Sequence, residues 1–186
     1  MSVRFLFIGV LILMDWFVVD KEYISYLLKY DSHVGYVEYG DKLKLHVGIL
    51  LTINKYNYYV PISSAKPKHY KMSNKLDFHK LTDIKNGYLY AVLNLNNMIP
   101  VPNDCITQLK YNQIEKFRSF SKEKEKNDYI YLLQKEKEII DLYAEVLHRK
   151  AKKLYVKYKI MPNSSLAKRC CNFQLLEEKC IKYKKL

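Results

Sequence analysis

The residues best equipped for chemistry crowd one short stretch, Val60-Pro61-Ile62-Ser63-Ser64-Ala65-Lys66-Pro67-Lys68-His69. Two hydroxyls, two ammonium groups and an imidazole follow directly on Tyr56 to Ile62, a run whose Tyr, Val and Ile favour a half-buried strand. Ser-Ser-Ala-Lys-Pro cannot continue that strand, so the chain leaves its sheet where these groups sit. Such a set can grip a phosphate and act on the hydroxyl beside it. A plain strand-ending turn with solubilising lysines also accounts for the decapeptide, so the rest of the chain has to decide.

The flanking patterns say what positions the turn. Phe17 to Val19 reads as a short strand, and Asp20 as the cap of a helix with Tyr23, Tyr26, Leu27 and Tyr30 on one face. Asp31 to Asp41 is loop-like. Leu43 to Ile53 reads as a strand with Lys44 and His46 on one parity and Leu45, Val47 and Ile49 on the other. Asn54-Lys55 fits a tight turn, and Tyr56 to Ile62 returns as the hairpin partner. Residues 71 to 86 are polar and irregular, with Phe78 and Leu81 as anchors. Gly87 to Leu95 is the next strand, Met98 to Pro102 suits an edge strand because of its prolines, and Cys105 to Leu109 adds a short one. From about Asn112 the period becomes helical through Ile114, Phe117, Phe120, Tyr129, Leu132, Leu133, Ile139, Ile140, Tyr143, Val146 and Leu147. The charged run Ser121 to Lys126 breaks it, as a solvated face or loop. Asn172 can cap a last helix from Phe173 to about Ile181. The expected class is α+β: a compact, strongly bent, mostly antiparallel sheet or small barrel, followed by helices.

At 186 residues the chain is long enough for one cored domain. Lys and Arg number 32 against 19 Asp and Glu, a net charge of +13, and there are 18 tyrosines. Diffuse positive potential with flat amphipathic rings suits single-stranded RNA, whose backbone supplies charge and whose bases stack. An A+T-rich coding sequence would inflate Lys and Tyr too. Cys105, Cys170, Cys171 and Cys180 match neither a zinc site nor a disulfide framework, which points to reduced cytoplasmic thiols. Phe5 to Met14 mimics a signal-peptide core but is far shorter than the roughly 20 residues that span a bilayer, and no small-x-small cleavage site follows. Residues 1–13 are therefore read as an extension outside the core, and 14–186 as one domain in the cytoplasm.

The chain resembles the ToxN/AbiQ family of endoribonuclease toxins from type III toxin–antitoxin and phage abortive-infection systems. The likeness is carried, in order, by Asp20 to Asp31, Lys44 to Ile53 around Val47-Gly48-Ile49, Pro61 to His69, Leu93-Asn94-Leu95-Asn96-Asn97-Met98-Ile99-Pro100, and Cys171 to Lys179, the most specific of the five. The resemblance implies a barrel-like antiparallel sheet, and cleavage of A-rich RNA without metal or other cofactor. It also implies inhibition by an RNA antitoxin of tandem repeats, closing into a ring-like assembly, with no protein antitoxin and no membrane partner. The family's hydroxyl-hydroxyl-Pro-Lys turn maps to Ser63-Ser64-Ala65-Lys66, with Ala65 in place of proline and serine in place of the first threonine. Its basic strand residue maps to Lys44, its helix tyrosine to Tyr23 and its turn histidine to His69.

The chemistry expected is attack of a ribose 2′-OH on the adjacent phosphorus, leaving a 2′,3′-cyclic phosphate and a 5′-OH. That reaction needs a base, cations on the phosphorane and an acid at the leaving oxygen. Ser64 is expected to hold the phosphate or 2′-OH, Ser63 to add a hydrogen bond, and Lys66 and Lys44 to neutralise charge, one relaying a proton if burial lowers its pKa. Tyr23 would stack on a base or donate its phenol. His69 is a candidate acid or base, with a structural role as its alternative. Tyr36, Tyr39, Lys68 and Lys71 are expected RNA contacts. Asn172 and Phe173 would read or stack a base, or else serve as helix cap and core anchor. A non-catalytic RNA-binding module is the competing reading, followed by a tethered or exported protein using its N-terminus. A serine hydrolase is remote, since Ser64 lies in no Gly-x-Ser-x-Gly elbow.

Overall fold

The computed structural model describes residues 14–35, 38, 39 and 42–184. In chain order these form β1 (Asp15–Val19), α1 (Lys21–Leu28), a ribbon of β2 (Glu38–Tyr39) and β3 (Lys42–Leu43), the hairpin β4 (Leu45–Ile53) and β5 (Tyr56–Ser64), and the one-turn helix α2 (Pro67–Tyr70). Then come β6 (Phe78–Thr82), β7 (Leu89–Asn94), β8 (Ile99–Pro100) and β9 (Ile106–Gln108), and the helices α3 (Glu123–Leu142), α4 (Ala144–Ile160) and α5 (Phe173–Lys182).

The expected α+β class holds, with one correction. The main sheet is antiparallel, ordered β6-β7-β5-β4-β1-β9 with β8 also on β5, and β6 and β9 are open edges rather than a closed barrel. Its centre is β5, which pairs with β4 as far as Pro61, with β8 through Tyr58 and Tyr59, and with β7 through Ile62 to Ser64. The hairpin turn is made by Asn54 and Lys55, both at positive φ (48° and 74°), as a two-residue hairpin loop requires.

The parity expected along β4 fails. Leu45, His46 and Val47 are all buried, whereas Ile49 is exposed. β4 lies inside the sheet with α4 over one face, where His148 Nδ1 meets the Leu50 carbonyl at 3.1 Å. Its register with β5 also shifts between Val47 and Leu51, which breaks strict alternation. Gly48 sits in that shift because a Cβ there would lie 2.2 Å from the Tyr59 ring.

Three other expectations change. The stretch 71–86 contains the edge strand β6, paired to β7 with Phe78 and Leu81 buried. The break expected at Ser121 to Lys126 is narrower: Ser121 and Lys122 lie between a 3-10 helix at Tyr111–Lys116 and α3, and from Glu123 the run is already helix, with Glu125 folded back onto Ser121 N–H and Oγ at 3.0 and 2.9 Å. The helical stripe also breaks a second time, at Tyr143, between α3 and α4.

The helices are locked to the sheet by buried aromatic contacts. Glu177 on α5 accepts from the hydroxyls of Tyr58 (2.7 Å) and Tyr155 (2.8 Å), joining α5, β5 and α4 around the fully buried Phe173. All four cysteines are buried and none forms a disulfide. No helix among the described residues is long and apolar enough to cross a membrane. The expected extension, residues 1–13, lies outside the described residues.

Candidate functional site

The hydroxyl–lysine turn sits where β5 changes partners. Beyond Pro61, β4 no longer pairs with β5, and Ser63 and Ser64 are held opposite Val92 and Ala91 of β7. Lys44, just ahead of β4, reaches across the vacated edge, and its Nζ donates to Ser63 Oγ at 2.9 Å. Ser64 is exposed, and its hydroxyl bonds to none of the described residues. The Ala65 N–H donates to the Tyr90 carbonyl at 3.4 Å. A proline at 65 could not make that bond, so the departure from the family's turn gains an anchor to the sheet. Pro67 then opens α2, where its fixed φ suits a helix start.

His69 closes the turn from behind. Its Nδ1 accepts from Lys66 N–H at 3.1 Å, while its own N–H donates to the Lys66 carbonyl at 2.8 Å. The donor fixes the tautomer, leaving the proton on Nε2. The ring is buried against Phe78, centroids 5.8 Å apart. Burial, then the charges of Lys68 and Lys66, hold its pKa below the ordinary imidazole value. The structural alternative fits His69 better than acid–base work: it fixes the backbone that presents Lys66.

Facing the turn is a groove of about 580 Å³. One wall is Lys44, Leu45, Ile62, Ser63, Ser64 and Lys66; the other is Arg118 with Glu125, Asp128, Tyr129, Leu132, Leu133 and Glu136. The α3 residues recur at spacings of three and four, one face of a helix. Arg118 is clamped between Glu125 (Nη2 to Oε1, 3.0 Å) and the Tyr129 ring (4.2 Å to its centroid).

Burial sets the charges. Lys44 is half-buried, and desolvation, helped by the nearby Lys66 charge, brings it down to about 8. Behind it, buried His46 is pushed down to about 3 by burial and then by Lys44, so it stays neutral, with Nδ1 unpartnered. Across the groove, burial raises the Glu136 carboxyl to about 8. Near neutrality the groove thus presents an ammonium that gives up its proton readily and a carboxyl that keeps one.

Of the residues expected at the site, Lys44, Ser63, Ser64 and Lys66 come together, and Lys68 and Lys71 are exposed on and just after α2. Tyr23 does not join them. It is fully buried, its hydroxyl donates to the Pro100 carbonyl at 2.7 Å, and burial raises its pKa far above an ordinary phenol. Since Pro100 pairs with Tyr58, Tyr23 supports β5 six residues before Ser64. Phe173 is core, packed on Tyr155 and Tyr158, and cannot stack RNA. Asn172 caps α5, its side chain accepting from Leu175 N–H at 3.2 Å, while its own N–H donates to Asp31 at 2.6 Å. Tyr39 lies in the β2–β3 ribbon, and Tyr36 falls outside the described residues. The α3 wall was not anticipated. Its signal was Glu136, an acid in the middle of the apolar stripe Tyr129, Leu132, Leu133, Ile139, Ile140.

Fold and groove together define a small α+β protein with a lysine- and hydroxyl-lined cleft suited to an anionic backbone. The model of the family described as "Toxin ToxN, type III toxin-antitoxin system" matches residues 15–181. The chain belongs to this ToxN family. It is 31% identical over 180 residues to the endoribonuclease AbiQ of Lactococcus lactis subsp. lactis, covering 91% of this chain and 89% of that one. Among solved structures it resembles the toxin of a bacterial type III toxin–antitoxin system inhibited selectively by a non-coding RNA pseudoknot, with a TM-score of 0.79, 27% identity, and coverage of 94% of this chain and 100% of the other. It also resembles AbiQ, a lactococcal anti-phage endoribonuclease of the type III class, with a TM-score of 0.76, 28% identity, and coverage of 92% and 98%.

Proposed function

We propose that this protein is an endoribonuclease toxin of a type III toxin–antitoxin system that cuts RNA in the groove between the hydroxyl–lysine turn and α3. The observation that carries the reading is the Lys44–Ser63 bond of 2.9 Å, which sets a half-buried amine beside Ser64 and Lys66 at one wall of the groove. Ser64 holds the scissile phosphate and Lys66 neutralises the phosphorane. Lys44, in its amine form, takes the proton of the attacking 2′-OH while Ser63 fixes its position. The products are a 2′,3′-cyclic phosphate and a 5′-OH, and no step requires a metal. The family resemblance supplies the rest of the proposal: A-rich cellular or phage RNA as substrate, a repeat RNA antitoxin as inhibitor in a ring-like assembly, action in the cytoplasm, and a functional unit that begins near Met14.

Ser64→Ala tests the site. The variant is expected to bind an A-rich RNA about as well as wild type while losing at least ~100-fold in cleavage rate, the scale of a lost transition-state donor. A variant that cuts at the wild-type rate would remove Ser64 from the site. Wild-type protein that binds RNA and leaves it intact would make this a binding module.

A further inference from the structure

The reaction proposed above leaves one role unfilled, the proton for the departing 5′-oxygen. Three carboxyl groups line the α3 wall. Glu125 is committed to Arg118 and to Ser121, and the exposed Asp128 pairs with Lys124 at 2.7 Å. Glu136 differs from both. It is 5% exposed, lines the same groove as Lys44 and Ser63, and makes no hydrogen bond or ion pair with any described residue. An unpartnered carboxyl is costly to bury in its charged form, and an apolar residue would complete the stripe between Leu133 and Ile140 at no such cost.

We propose that Glu136 is the general acid of this site, a catalytic residue that protonates the leaving 5′-oxygen. The inference rests on the endoribonuclease reading. As the 2′-oxygen bonds to phosphorus its proton passes to the Lys44 amine; as the phosphorus–5′-oxygen bond breaks, the Glu136 carboxyl proton passes to that oxygen. Solvent exchange then returns a proton from Lys44 to Glu136. The other titratable or charged groups facing the groove are Lys66 on the turn, and Arg118, Glu125, Asp128 and Tyr129 on the helix side. Burial keeps Glu136 protonated up to about 8, so the acid is loaded at neutral pH.

The test uses two RNAs that differ at one atom. In the second, sulfur replaces the bridging 5′-oxygen at the cut site, and the thiolate departs without needing a proton. Glu136→Gln is expected to slow cleavage of ordinary RNA by at least ~100-fold, within the range for a lost general acid. The sulfur-bridged RNA should be cut by variant and wild type at rates within a few-fold, and the fall in ordinary cleavage above about pH 8 should vanish. Glu138→Gln, on the exposed side of α3, is expected to change neither rate. Equal slowing of both RNAs would reduce Glu136 to a structural group, and an unaffected ordinary rate would remove it altogether. Wild type that cuts neither RNA would instead overturn the endoribonuclease reading, and this inference with it.

Discussion

Lys44 carries its charge in a half-buried position, next to a second ammonium, and donates to the Ser63 hydroxyl. Desolvation and the Lys66 charge both favour the amine, which is why the group comes down to about 8. Across the groove, desolvation alone brings Glu136 up to about 8. The signs set the pH dependence. A base that works as the neutral amine gains activity as pH rises through about 8, and an acid that works as the carboxyl loses it through the same range. Single-turnover cleavage measured from about pH 6 to 10 is therefore expected to trace a bell with its maximum near 8. Lys44→Arg keeps the charge but cannot lose its proton at these pH values, so cleavage should fall at least ~100-fold while RNA stays bound. A profile flat across this range, or a fully active arginine variant, would take Lys44 out of proton transfer.

The hairpin of β4 and β5 and the helix α3 make the two walls, and they were unequally legible in the sequence. Tyr56 to Ile62 gave up its strand and its ending because Pro61 and the serines mark the spot in the chain itself. The helix wall stayed hidden, since nothing local says that the stripe Tyr129, Leu132, Leu133 faces Ser63 rather than the core alone. For the same reason a role on RNA stayed open for Tyr23 and Phe173, although packing against Pro100 and Tyr155 decides their burial. Strand β6 was missed because a short edge strand among polar residues has little pattern of its own. The register shift at Gly48 lies beyond any periodicity, yet it aims β4 so that Lys44 meets Ser63. Gly48→Ala would drive a methyl into the Tyr59 ring and is expected to cost about 1–3 kcal/mol. Thermal melting would read this as a fall of about 2–4 °C per kcal/mol, smaller in a Tyr59→Ala background. An unchanged melting temperature would show that the ring has room to move.

For the molecule as a whole, a net charge of +13 makes RNA binding a matter of salt as well as of shape. Lys44 and Lys66 line the groove, and Lys68 and Lys71 lie exposed on and just after α2, which follows Lys66 in the chain. If these lysines contact about four phosphates of a single strand, the log of the affinity should fall with the log of salt at a slope of about −3. Lys68→Gln should make that slope shallower by about 0.7, and a flat response would count against a backbone held in the groove. The central claim is that this groove cleaves RNA with side chains alone. Its most direct test is to map the product ends after wild-type protein has acted on an end-labelled A-rich RNA in EDTA. The account predicts 2′,3′-cyclic phosphate on one fragment and 5′-hydroxyl on the other. A 5′-phosphate end, or cleavage restored only by a divalent metal, would contradict it.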